Sequence, residues 1–157
     1  MDVYLMQHGV AVPEEVDPDR PLSPAGREAV VAVARHAAAH GVSVDRIVHS
    51  GKTRAAQTAA VLAQALGCAD VAAVAGLKPN DPVEAAAAAL VDRERPGSLA
   101  VVGHLPSLDR LASLLVCQDT SAQVVAFGNG GLVKLVPSTA GRGFAVAWIL
   151  TPGLASG

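Results

Sequence analysis

Short runs of β-branched and apolar residues alternate along the chain with longer alanine-rich stretches, the pattern of βαβ units that build a mostly parallel sheet. Apolar runs at 3–6, 47–49, 71–74 and 99–102 predict four strands, and two more are expected at 132–136 and 144–150. Ser23 followed by Pro24 marks a helix start, a capping hydroxyl ahead of a proline whose missing N–H costs nothing in the first turn. That helix should continue to His40 and stop at Gly41. Further helices are predicted over 53–66, ended by Gly67, over 82–91 and over 107–116. The connection from Pro137 to Gly143 is rich in turn residues and too short for a crossover helix, so the last two strands should form an antiparallel hairpin. The fold class is therefore α/β, a three-layer sandwich with a mostly parallel central sheet and an antiparallel edge. Residues 1–150 show neither linker nor repeat and predict a single domain. Residues 151–157 carry Pro, Gly and Ser without periodicity and are expected to form a flexible tail.

Composition narrows the function. Of 157 residues, 51% are hydrophobic and 17% charged, which is too apolar for a disordered chain. A formal charge of −2 and an aromatic content of 3% leave neither the basic excess nor the stacking surface that nucleic-acid binding requires. No apolar run reaches the roughly 18 residues of a membrane span, and the first residues lack a basic, then apolar, export signal. A cytoplasmic protein that binds neither nucleic acid nor membrane is expected, its oligomeric state left open. Cys68 and Cys117 have no CxxC spacing and read as buried spectators. His36 and His40 have the i, i+4 spacing of a metal pair but no third ligand at a fixed spacing, so a solvated helix face is expected and no metal is assigned.

The chemistry lies just beyond the predicted strands, where open α/β sheets bind their ligands. Gln7-His8-Gly9 follows the first strand, Ser50-Gly51-Lys52-Thr53-Arg54 the second, and Gly103-His104-Leu105-Pro106 the fourth. Parallel strands would bring His8, Arg54 and His104 to one rim. Two imidazoles and a guanidinium near helix N-termini suit a phosphoryl group being transferred to histidine. His49 could approach the same rim, and Lys52 could add positive potential. Gly51-Lys52-Thr53 resembles the end of a Walker A loop, but Arg46 stands where that loop needs its first glycine, which excludes a nucleotide-binding P-loop.

Four motifs occur in one order: Gln7-His8-Gly9; Arg20-Pro21-Leu22-Ser23-Pro24-Ala25-Gly26; Ser50 with Arg54, Ala55, Gln57, Thr58 and Ala59; and Val102-Gly103-His104-Leu105-Pro106. Together they resemble the histidine phosphatase (phosphoglycerate mutase-like) superfamily, and within it the short SixA-like phosphohistidine phosphatases. The resemblance covers nearly the whole chain. It implies that His8 attacks phosphorus, that Arg54 clamps the phosphoryl oxygens, and that His104 donates to them as charge builds. It implies substrate binding by Gln7, Gly9 and Arg20 and requires no cofactor. The superfamily usually has Arg where this chain has Gln7, which removes a positive charge from the phosphate pocket. Its general acid has no clear counterpart; Asp81 and Glu84, after the third strand, are the nearby candidates. Asp81 also reads as a turn residue, and Arg20 equally as a surface ion pair with Asp17 or Asp19. The expected activity is dephosphorylation through a phosphohistidine intermediate, acting on protein phosphohistidine in signalling. The alternatives are a small-molecule phosphomonoesterase of the same superfamily and a non-catalytic module that binds a phosphorylated ligand.

Overall fold

The computed structural model describes residues 1–157. Its strands are β1 (Asp2–Gln7), β2 (Arg46–His49), β3 (Val71–Ala73), β4 (Ser98–Gly103), β5 (Leu132–Pro137) and β6 (Phe144–Leu150). Its helices are α1 (Pro24–Ala39), α2 (Thr53–Leu66), α3 (Val83–Leu90), α4 (Ser107–Cys117) and a short α5 (Pro152–Ala155). All strands join one sheet in the order β3-β2-β4-β1-β5-β6. β1 runs parallel to β4, and β2 runs parallel to both β3 and β4, while β5 is antiparallel to β1 and β6. The antiparallel portion is the predicted β5–β6 hairpin, whose return loop is held by the Arg93 guanidinium donating to the carbonyls of Ser138, Gly141 and Gly143.

Alternation along the central strands divides the core between the two faces. Val3 and Leu5 of β1, with Leu99 and Val101 of β4, pack under α3 and α4 against Val83, Leu108 and Leu111. Tyr4 and Met6, with Ala100 and Val102, face α1 and α2 and meet Val30, Val33, Ala59 and Leu62. Helices on both faces make the three layers expected of the sequence. They also leave the carboxyl ends of β1, β2 and β4 as a shared rim.

The Arg20-to-Gly26 element owes its glycine to packing. Ser23 Oγ accepts from the Gly26 N–H at 3.0 Å and caps α1. A Cβ on Gly26 would lie 2.1 Å from the Val10 carbonyl oxygen, so the start of α1 can press directly on the loop after β1. Gly9 is confined from the same side, since a Cβ there would come within 2.7 Å of Val30 Cγ2. Room between the loop and α1 requires this glycine.

Two expectations are corrected. Residues 151–157 contain α5, capped by Thr151 Oγ1 accepting from Leu154 N–H, and Ala155 packs on the cluster beneath α1. Proline at the first helical position and a threonine cap outweigh the lack of periodicity in so short a segment. The cysteines are free but not buried: Cys68 is half-buried in the turn after α2, and Cys117 is exposed at the last residue of α4.

Candidate active site

Sheet register brings the two histidines together. Gln7 pairs with Gly103 across β1 and β4, so His8 and His104 leave adjacent strands at the same level. Their ring centroids are 4.9 Å apart, with planes inclined at 53°. Arg54, in the first turn of α2, donates from Nε to His8 Nε2 at 3.3 Å. His8 Nδ1 lies 2.7 Å from the Gly9 carbonyl oxygen, which can only accept. The proton therefore sits on Nδ1 and the lone pair on Nε2, the assignment that satisfies both contacts. Burial pushes the His8 pKa down, the Gly9 carbonyl opposes it, and the Arg54 and Arg20 charges lower it further. His8 is held neutral, with its lone pair turned towards a guanidinium.

His104 is buried, at 1% exposure. Its pKa is pushed down to about 3 by burial, by His8 once that ring is itself protonated, and by the positive potential of Arg54, Lys52 and Arg20. Ser50 Oγ lies 2.6 Å from His104 Nε2 and accepts from the Lys52 backbone N–H, while His104 Nδ1 has no partner. A histidine that stays neutral when folded and charges when unfolded makes stability fall with acidification. The loss begins below the unfolded value of 6.5 and is complete near the folded value of about 3. Between pH 7.5 and 4.5 the protein should lose about 2 to 3 kcal/mol more than His104→Gln. Urea denaturation of both proteins across that range checks this; parallel curves would show that His104 charges freely in the folded state.

Arg20 belongs to this rim. Its backbone adopts φ 48°, and Nε donates to the Val12 carbonyl at 3.3 Å. Of the two readings of Arg20, the surface ion pair with Asp17 or Asp19 does not form: the salt bridges are those of Arg46, Arg93 and Lys134. Arg20, Lys52 and Arg54 thus converge without a carboxylate to neutralise them, which favours an anionic ligand. The Arg54 pKa is lowered by burial and then by Arg20. Gln7 is buried and contributes no charge; its Oε1 has no partner.

The remaining motif residues fix the frame. Thr58 Oγ1 accepts from Gly9 N–H at 3.1 Å and donates to the Arg54 carbonyl, tying the loop after β1 to α2. Gln57 Oε1 accepts from Leu22 N–H at 2.7 Å and fixes the approach to α1. Asn129 and Gly130, which the sequence reading did not single out, complete the support. Asn129 Nδ2 donates to the His8 carbonyl at 2.9 Å, and Gly130 N–H donates to the carbonyls of Gln7 and His8. Their available signal was the turn run Gly128-Asn129-Gly130-Gly131 just ahead of β5.

Asp81 and Glu84 make no hydrogen bond to His8, Arg54 or His104. Asp81 Oδ2 closes a turn by accepting from Lys78 N–H at 2.9 Å. Both acids line a separate cleft of about 320 Å³ with Arg110 and Thr120. His49 Nδ1 accepts from Gly51 N–H and shapes the turn rather than joining the histidine pair. His36 of α1 and His40, the residue that caps its C-terminus, stack with centroids 4.2 Å apart.

A doubly covered α/β sheet whose rim gathers paired neutral histidines and unneutralised cations is built to receive an anion. The pattern of the histidine phosphatase superfamily (branch 1) matches residues 3–81, just over half of the sequence, and the chain belongs to that superfamily. Its fold is phosphoglycerate mutase-like. The chain is similar to the protein histidine phosphatase SixA solved with tungstate, with 23% identity, a TM-score of 0.83 and 98% of each chain covered. It is also similar to a protein assigned as phosphohistidine phosphatase SixA from Agrobacterium tumefaciens, with 25% identity, a TM-score of 0.78, and 96% and 97% of the two chains covered. Its counterpart from Nakamurella multipartitia has 27% identity and a TM-score of 0.76, with 96% of this chain and 95% of that one covered. No curated protein sequence gives a significant match. No helix is long and apolar enough to cross a membrane.

Proposed function

We propose that this protein is a phosphatase working through a phosphohistidine intermediate on His8, and that its substrate is phosphohistidine on a protein. The observation that carries the reading is the His8 tautomer, with Nδ1–H held by the Gly9 carbonyl and the Nε2 lone pair beside Arg54. Likeness in fold to SixA solved with tungstate, a tetrahedral oxyanion, supports it.

The incoming phosphoryl oxygens take donors from Arg54 and Arg20, with Gln7 and the Gly9 segment lining the pocket. The Arg54 Nε–H leaves His8 for a phosphoryl oxygen, at small cost because that contact is long. His8 Nε2 then forms a bond to phosphorus while the bond to the leaving nitrogen breaks and its electron pair stays on the substrate imidazole, which departs neutral because its other nitrogen already carries the proton. His104, kept neutral, donates to the phosphoryl oxygens as charge redistributes. In the second step water attacks phosphorus, releases inorganic phosphate and returns the lone pair to His8.

No carboxyl group contacts the histidines, so leaving groups that need a proton are disfavoured. A phosphoramidate protonated on nitrogen and an acyl phosphate depart without one. The reading therefore expects log(kcat/KM) to fall steeply with leaving-group pKa across aryl and alkyl phosphates, with phosphoimidazole well above that line. A flat dependence that steepens only in Asp81→Ala or Glu84→Ala would reveal a general acid and favour a small-molecule phosphomonoesterase.

A further inference from the structure

The turn that carries the chain from β2 into α2 holds a contact to one of the paired histidines at each end. Ser50 Oγ lies 2.6 Å from His104 Nε2, and Arg54 donates to His8 Nε2 at 3.3 Å. Whatever fixes residues 50–53 therefore fixes how the guanidinium and the buried imidazole meet a phosphoryl group. α2 does not do this for itself. Its N-cap is Lys52, whose ammonium can only donate, so no side-chain bond closes the first turn of the helix. Two side-chain acceptors upstream shape the turn instead, each taking the backbone N–H two residues further on. His49 Nδ1 accepts from Gly51 at 3.1 Å, and Ser50 Oγ accepts from Lys52 at 3.3 Å.

Gly51 is the soft point of this turn. It stands at φ 85°, while a Cβ on it would come no closer than 3.8 Å to Ala73 Cβ, so glycine is present for its backbone freedom and not for want of space. A residue that can enter this conformation so easily can also leave it, and the bond from His49 is what holds it there. His49 is well anchored. It ends β2 between Ala73 of β3 and Val102 of β4, and its carbonyl accepts from Val74 N–H at 2.9 Å. Burial pushes the His49 pKa down, which keeps the ring neutral, with its proton on Nε2 and its lone pair on Nδ1. The end of three paired strands thus reaches the soft residue of the turn through one imidazole nitrogen.

Resting on the phosphoryl-transfer reading above, we infer that His49 is a positioning residue for that reaction: through the Gly51 N–H it holds the turn that aims Arg54 at the phosphoryl group and presents Ser50 to His104. What the site uses is a hydrogen-bond acceptor on the His49 Cγ, not the bulk of the ring. Asn carries Oδ1 on Cγ where His carries Nδ1, and it readily accepts from the N–H two residues on; Leu fills the space and accepts nothing.

These two substitutions separate the roles. His49→Leu should lower kcat/KM for phosphoimidazole about three- to tenfold, the net worth of one hydrogen bond, and should weaken calorimetric binding of tungstate by a similar factor. His49→Asn should stay within about twofold of the wild type in both measurements. A packing role for the ring predicts the reverse order. That order, or equal losses or none in the two folded variants, overturns the inference. Should His49→Leu not fold, the wild type decides: nitrogen NMR at neutral pH should show His49 Nδ1 unprotonated, with the Gly51 amide slow to exchange, and a proton on Nδ1 or a freely exchanging Gly51 amide overturns the inference. Failure of the wild type to turn over phosphoimidazole, with tungstate affinities still in the expected order, would instead overturn the enzymatic reading and leave the positioning of Arg54 by His49 standing.

Discussion

His8→Ala is expected to reduce phosphoryl transfer to background, a loss of about 10⁴-fold or more, because every other group at the rim only positions or stabilises charge. In the proposed mechanism the lone pair that forms the bond to phosphorus belongs to His8 Nε2, and no second nucleophile stands ready. His104 is nearest, with ring centroids 4.9 Å apart, but its Nε2 is engaged by Ser50. Quenching during turnover with labelled phosphoimidazole should leave the phosphoryl group on His8. The quench must be alkaline, since a phosphorylated imidazole nitrogen is lost in acid. Label on another residue, or turnover surviving in a folded His8→Ala protein, would overturn the covalent mechanism. Tight binding of phosphonates by a wild type that never becomes labelled would identify a phospho-ligand binding module.

The fold was legible because its signals were local and mutually consistent. Ser23 and Pro24 mark the start of α1, Gly67 ends α2 in a left-handed conformation at φ 67°, and the brevity of the 137–143 connection leaves only a hairpin. His8, Arg54 and His104 could be grouped before any coordinates because parallel strands place their carboxyl ends together. What the sequence could not supply was contact between side chains far apart in the chain. Thr58 appears only as a motif position until its hydroxyl is seen bridging Gly9 and Arg54. Asn129 lies 121 residues from the carbonyl it supports. The Arg20 ambiguity had the same origin, since neighbouring aspartates suggest a pairing that the backbone at φ 48° does not make. Asp81 and Glu84 were drawn in by sequence order after β3, whereas the turn at Lys78–Asp81 places both at another cleft.

Arg54→Ala should cost about 2 to 4 kcal/mol of transition-state stabilisation, roughly 30- to 1,000-fold in kcat/KM, the range for loss of one preorganised donor. The reason is its double position. Its Nε reaches His8 Nε2 in the free protein, and its planar fork can move onto two phosphoryl oxygens without rebuilding the site. It also has no salt-bridge partner to hold it back. Arg54→Lys should recover only part of the loss, since an ammonium supplies charge but not the fork. A pH profile separates this role from simple damage to the fold. The Arg54 charge is one cause of the lowered His8 pKa, so its removal lets that value rise. The acidic limb of kcat/KM in Arg54→Ala should then shift to higher pH, because His8 protonates and loses its lone pair sooner. A folded Arg54→Ala protein losing less than about tenfold in kcat/KM, with an unmoved acidic limb, would show that Arg54 is not the phosphoryl clamp.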